Sequence, residues 1–340
     1  MKSILDRVLQ TPTYGFERDG VFYKPTRQEI WREFIRKTNP FVDQKNWLAF
    51  WSWATTLSFA VPLIIFLVKF FSFKLLLLGF VYSMVILGSF GTFWFHRYGT
   101  HGAFKFTSKF ARFLCRNLVI KIIPDEVYII SHHVHHRRSE QAGDPYNVHG
   151  GWLYCFLADV NHQAINRDLS LKDYQQVQRL MAPTVVRMNS YSEYLRWGSV
   201  CHPLCTVLHY ALNWGFWYGV FYLIGGHALA CCLFGSAGVW AIGVRTYNFE
   251  GHGGGRNLQK DGKDFHREDL SVNQLWPGYV AGEWHNNHHM YPSGARSGFL
   301  PYQLDLPWLW IRLLRSLKIV SHVRDYKNDF LTEIHTKNSA

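Results

Sequence analysis

Polar and apolar positions fall into long blocks along the chain. Residues 47–68 form an almost uncharged run of about 22 residues, and a helix of that length rises roughly 33 Å, enough to cross the hydrocarbon core of a bilayer. Trp47, Trp51 and Trp53 crowd its first end, where interfacial aromatics sit. The short connection 69–74 leads into a second apolar run, 75–95. The same form recurs later, with a run over about 203–223, a Gly225-Gly226 turn, and a run over about 228–244. The pattern predicts an all-α integral membrane protein with four transmembrane helices in two hairpins.

This division gives an N-terminal arm (1–46), hairpin one (47–95), a polar segment (96–202), hairpin two (203–244) and a tail (245–340). Four crossings put the arm, the 96–202 segment and the tail on one side. The arm holds nine Lys or Arg residues and the two outer loops are tiny, so the positive-inside tendency predicts a multi-pass protein with a helical cytoplasmic cap. Between residues 106 and 130, Lys109, Arg112, Arg116 and Lys121 interrupt apolar positions. That spacing predicts an amphipathic helix on the membrane surface, ended or kinked at Pro124.

Composition sharpens the picture in two places. The formal charge is +12, which by itself suits nucleic acid, an anionic membrane or an acidic substrate. The apolar runs select membrane lipid, and no nucleic-acid partner is expected. Mean hydropathy is only −0.10, so much of the chain sits in water. The six cysteines form no CxxC pair and are expected to be reduced, packed thiols. No secretory signal is visible in the polar N-terminal segment.

The candidate chemistry lies in the histidines. Of 18, nine form a pattern. His96 and His101 make an H-x4-H unit where the second run ends. His132, His135 and His136 make an H-x2-H-H unit, and His285, His288 and His289 make another. His252 stands four residues after Asn248. Positions i, i+3 and i+4 share a helix face, so one H-x2-H-H unit is expected to bring three imidazoles into a small volume. An i, i+5 pair is offset by about 140° on an ideal helix and needs a bend, a helix end or two different metals. All nine fall in segments assigned to the cytoplasmic side from the apolar runs alone. Nine imidazoles are too many for one four-ligand ion and suit two ions with open positions. Spacing leaves the metal open among iron, copper, zinc and nickel. His133, His149, His162, His202, His227, His266, His322 and His335 read as surface or structural groups. His209, inside the third run, reads equally as a functional group or as an imidazole bonded to a neighbouring helix.

These residues resemble the membrane fatty acid desaturase family, in its acyl-CoA desaturase-like, bacterial-type branch. The matching stretches are His96-Arg97-x3-His101, then His132-x2-His135-His136 followed by Ser139-Glu140 and Asp144-Pro145-x-Asn147. They continue with Asn248-x3-His252, Gly282-Glu283-Trp284-His285-Asn286-Asn287-His288-His289 and the tail Tyr302-Gln303-x-Asp305-x2-Trp308. The resemblance implies two iron ions (Fe2+) held by the nine histidines, with Asn248 holding a water on one of them. It implies O2 as co-substrate, a fatty acyl substrate in a tunnel past the metals, and a double bond as product. Glu140, Asp144 and Glu283 are candidates to orient imidazoles, or else ordinary caps and surface ion pairs.

Departures from the family pattern bear on the substrate headgroup. Ile130-Ser131 stands where acyl-CoA desaturases carry Arg-Asp, Gly102 stands in place of an Arg, and no basic pair follows Gly151-Trp152. Coenzyme A, carrier protein, lipid and free acid therefore all remain open as headgroups. The Gly253-Gly254-Gly255-Arg256 run is a flexible turn or, less directly, a phosphate cradle. No fused haem-binding segment is visible, so a separate ferredoxin- or cytochrome-type electron donor is expected. A hydroxylase or a terminal-alkene-forming decarboxylase on the same scaffold would begin with the same hydrogen abstraction. A histidine-rich transporter would instead place ionisable groups along a path through the spans.

Overall fold

The computed structural model describes residues 3–158, 164–250, 284–301 and 303–338. Among these the fold is helical, with two two-stranded antiparallel pairings: Glu17–Arg18 with Val21–Phe22, and Lys105–Phe106 with Val320–Ser321. Three segments are long and apolar enough to cross a membrane: Gln44–Lys69, Phe73–Thr100 and Pro203–Glu250. The first two contain the runs 47–68 and 75–95. Both later runs fall inside the third segment, which is 48 residues long, so length and composition give three spanning segments rather than four.

The third segment is not one straight rod. Gly225 (φ −148°, ψ 23°) and Gly226 (φ 64°, ψ −166°) leave helical geometry, and Gly226 takes the left-handed φ that only glycine adopts freely. The halves fold back on each other there. Phe234 lies 5.7 Å from Tyr218 and 6.4 Å from Phe221 between ring centroids, whereas 13 residues of unbroken helix would separate them by about 20 Å. Large apolar side chains such as Val61, Val68, Leu77, Leu212, Phe216 and Leu223 are exposed along these segments, as expected of a surface whose solvent is lipid.

The helical region extends past the apolar runs at two ends. The second segment continues through His96 to Thr100, and the third continues past Val244 to Glu250. Helical backbone therefore carries the first histidine of the H-x4-H unit, and likewise Asn248. The segment 106–130 differs from expectation. Its amphipathic helix is short, Lys109–Arg116, with Phe110, Phe113 and Leu114 exposed. Pro124 does not end it. It precedes the next helix, Asp125–Arg138, where its missing N–H costs nothing.

Helix Asp125–Arg138 is held from both sides. Val127, Ile129, Ile130 and Val134 pack into a buried cluster with Ile4, Val8 and Leu9 of the arm and with Tyr174 and Val177. Phe93, Trp94 and Tyr98 of the second segment belong to the neighbouring core. The two histidine-bearing elements thus meet along a packed seam, and that seam sets where their imidazoles point.

Candidate metal centre

Box one, the His96–His101 unit, sits on a widened turn; the His132–His136 and His285–His289 units are boxes two and three. The backbone of Thr92–Thr100 is a π-helix, and the His101 N–H donates to the His96 carbonyl at 3.1 Å, five residues back. Such turns are rare and concentrate at functional sites. The two rings lie 4.9 Å apart, so the i, i+5 spacing converges on one volume.

Boxes two and three divide their histidines. On an α-helix, i+4 lies about 40° from i and i+3 about 60° the other way, so i+3 and i+4 diverge by about 100°. In helix Asp125–Arg138, His132 and His136 bring their Nε2 atoms to 3.1 Å, while His135 points elsewhere. In helix His285–Met290, His285 and His289 do the same at 3.1 Å, and His288 diverges. The three imidazoles of each H-x2-H-H unit do share a small volume, with ring centroids 4.7, 5.4 and 5.7 Å apart in the first unit, but each unit serves two points rather than one. His288 Nε2 stands 2.9 Å from His96 Nε2 and 3.0 Å from His136 Nε2.

The described residues assemble two groups of candidate ligands. One comprises His96, His101, His132, His136 and His288; the other comprises His135, His285 and His289, each group with its ring nitrogens within 4.8 Å of one another. The groups adjoin, because the His136 and His289 rings stack at 4.8 Å. His252 lies outside the described residues, as do Gly253-Gly254-Gly255-Arg256, Glu283, His162 and His266. Asn248 is half-buried near the end of the third segment.

The donor set fits metal ions. Two nitrogens at right angles around an ion, each bonded at roughly 2.1 Å, stand about 3 Å apart, which matches the Nε2 pairs above. Nε2 of His101 is buried and has no hydrogen-bond partner among the described residues. Burial and neighbouring imidazoles hold His101, His132 and His288 well below the ordinary histidine range, so these rings are neutral at pH 7, the form that binds metal. Asp144 is fully buried and lies 2.9 Å from His135 Nδ1. It also accepts from the N–H groups of Glu140 and Tyr146. This fixes the carboxylate, and the carboxylate fixes the tautomer of His135 with Nε2 as its lone-pair atom.

Arg97, Gln303 and Asp305 lie in the sequence motifs, and their roles emerge only from the fold. Arg97, 1% exposed, pairs with Asp305 at 2.9 Å and donates to the Ala295 carbonyl and Ser297 Oγ. Asn287 of box three donates to the Ser297 carbonyl and to Gln303 Oε1. The loop 295–305 thus ties box one to box three. Asp305 also accepts from Trp308 N–H at the start of helix Leu306–Ser316. The only local sign of this hub is a charged residue inside each motif. His209 resolves toward its structural reading, with Nε2 2.7 Å from Asn117 Oδ1.

A sequence model described as fatty acid desaturase matches residues 72–317, which include all three boxes and the 295–305 loop. The chain belongs to the fatty acid desaturase family. Among curated desaturases it is 25% identical over 256 residues to the icosanoyl-CoA 5-desaturase of Limnanthes douglasii, covering 73% of this chain and 64% of that one. It is 27% identical over 250 residues to the sn-1 stearoyl-lipid 9-desaturase of Anabaena variabilis, covering 70% and 80%. The acyl-CoA C20 Delta5-desaturase of Anemone leveillei is 28% identical over 257 residues, 70% of each chain. The chain thus spans just under two thirds of the first of these desaturases and more of the other two. Relatives named for acyl-CoA and for acyl-lipid substrates occur side by side.

Proposed function

We propose that this desaturase-family chain removes two hydrogens from adjacent methylenes of a fatty acyl chain, using O2 and two electrons from a separate protein donor. The overall balance is one double bond and two waters formed per O2, two electrons and two protons consumed. The observation that carries this reading is the sorting of eight histidines from three distant boxes into two adjoining groups, with His96, His132, His135, His285 and His288 buried. An alkyl C–H has no acidity for an acid–base pair to use. Iron bound in the two groups would supply the O2-dependent oxidising power that such a bond requires.

His96, His101, His132, His136 and His288 would hold one iron, and His135, His285 and His289 the other. By the family resemblance His252 would be a ninth ligand, and Asn248 would hold a water on one ion. Asp144 keeps the proton on His135 Nδ1, so that ring presents its other nitrogen. Arg97, Asp305 and Asn287 hold boxes one and three in register. The apolar core around Phe93, Trp94 and Phe95 excludes water from the membrane side of the site.

Each half of the third segment is long enough to cross a bilayer, so we read four crossings in two hairpins, with the histidine-bearing segments on the cytoplasmic side. The test is acyl-chain profiling in a host of defined lipid composition. The wild-type chain should add an unsaturated product, and His135→Ala or His288→Ala should abolish it while the protein remains in the membrane. An unchanged lipid profile with wild-type protein present, supplied with reductant and iron, would sink the reading.

A further inference from the structure

Two helices outside the spanning segments carry the same three-sided pattern. In helix Lys109–Arg116, Phe110, Phe113 and Leu114 share one exposed face, at i, i+3 and i+4. Lys109, Arg112 and Arg116 lie about a third of a turn away, and Cys115 is buried in the core. In helix Leu306–Ser316, Leu309, Trp310 and Leu313 are exposed, and Leu317 extends their stripe past the helix end. Arg312 and Arg315 lie to one side of it, while Trp308 and Ile311 enter the core. An exposed apolar stripe beside a basic one marks a helix that lies in a membrane interface.

The two helices are joined into one surface. Lys105–Phe106, just before the first, pairs with Val320–Ser321, just after the second. Thr107 adds an N–H bond to the Ile319 carbonyl and a hydroxyl bond to the Lys318 carbonyl.

Both helices also dock at the level of the apolar runs. Asn117, which ends the first, accepts from the Trp217 indole at its carbonyl, and its Oδ1 lies 2.7 Å from His209 Nε2. The Trp310 indole of the second donates to Ser89 Oγ at 3.3 Å. His209 and Trp217 fall inside the run 203–223, and Ser89 inside the run 75–95. These partners hold the two helices beside lipid rather than out in water.

The charge on this surface has one sign. Residues 105–118 and 306–324 each contain four Lys or Arg and no Asp or Glu. Arg116 is engaged by Asp125, whereas Lys105, Lys109, Arg312, Arg315 and Lys318 are exposed. Exposed cations beside apolar side chains at the edge of a bilayer complement headgroups of net negative charge. A protein arriving from water would have to displace lipid to cover the same stripe.

We propose that helices Lys109–Arg116 and Leu306–Ser316 form one membrane-seated surface that selects anionic phospholipid. Phe110, Phe113, Leu309 and Leu313 enter the acyl boundary, and Lys109, Arg312, Arg315 and Lys318 meet the headgroups. The inference uses the membrane-spanning reading and is independent of the acyl chemistry.

The test places purified full-length protein in phosphatidylcholine vesicles. Electron spin resonance then compares the association of trace spin-labelled phosphatidylglycerol and phosphatidylcholine with the protein, without turnover. Wild type should hold the anionic lipid about fivefold more strongly, the factor that one cation beside an anionic surface contributes. Lys109→Gln/Arg312→Gln/Arg315→Gln should lose most of that preference. Lys24→Gln/Arg27→Gln/Arg32→Gln, which removes as many exposed cations from the N-terminal arm, should keep it. Equal association of the two lipids with wild type overturns the proposal, whether or not the variants fold. So does a folded helix variant that keeps the wild-type preference, and if that variant has ceased to bind an acidic protein, the surface serves that protein instead. An arm variant that loses the preference as fully as the helix variant also overturns it, because net charge alone would then explain the selection.

Discussion

The N–H of His101 donates to the carbonyl of His96 at 3.1 Å, and this single i→i+5 bond lets two imidazoles spaced for opposite sides of an α-helix face the same point. The π-turn that contains it is packed without slack. A Cβ placed on Gly99, between the two histidines, would come within 2.8 Å of Ile129 on the box-two helix and 3.1 Å of the Trp94 carbonyl. Gly99→Ala should therefore force box one away from box two. We expect a loss of roughly 1–3 kcal/mol in stability and a fall in bound iron, measured by thermal unfolding and elemental analysis of the same sample. Full iron content and unchanged stability would contradict the packing account.

The Arg97–Asp305 pair should behave as a buried ion pair. Removing one partner leaves the other charge without compensation, at a cost on the order of 3–5 kcal/mol. Asp305→Asn should lower the denaturation midpoint and loosen the loop 295–305, seen as faster amide exchange at Ser297 and Gly298. Arg97→Lys should fail to restore stability, because a lysine cannot reach Asp305, Ala295 and Ser297 together. A wild-type midpoint for Asp305→Asn would show that box three is held by other contacts.

Asp144 acts through His135. Asp144→Asn keeps the shape but weakens control of the tautomer, and should reduce metal affinity about 10- to 100-fold at the three-histidine group. Metal titration of the folded apoprotein measures this directly. Unchanged affinity at both sites would remove Asp144 from the assembly of the centre.

Glu126 gives a pH signature separate from the histidines. Its carboxyl is buried, and burial raises it to about 7 although it accepts from the N–H groups of Val200 and Cys201. The folded value lies above the unfolded one, so the associated stability is fully present below about 4.5 and is lost as pH rises through about 7. The span amounts to roughly 3 kcal/mol. Glu126→Gln should flatten that part of the stability–pH curve. A wild-type slope in the variant would assign the pH dependence elsewhere.

Much of this arrangement was legible in the residues, and the rest was hidden for physical reasons. Uncharged runs marked the membrane segments, because a bilayer demands about 20 apolar residues in succession. Gly225 and Gly226 marked the reversal, because few other residues fit such a backbone. The histidine boxes marked the candidate ligand groups, yet their sorting did not follow from spacing. His96 meets His288 across 192 residues, and no local pattern encodes that pairing. Ideal-helix geometry separated His96 from His101, and only the widened turn reunites them. Arg97 and Asp305 lie too far apart in sequence for periodicity to join them. Pro124 was misplaced because a proline that ends one helix and one that begins the next look alike in sequence.

Distant histidines gather into two adjoining candidate metal groups, each drawing on boxes two and three. Iron analysis of purified, folded wild type, His288→Ala and His135→Ala tests it most directly. The account predicts two irons per chain in wild type and a marked loss in each variant, with helical content retained. An active, folded wild-type sample free of transition metal, or full iron loading in both variants, would contradict it.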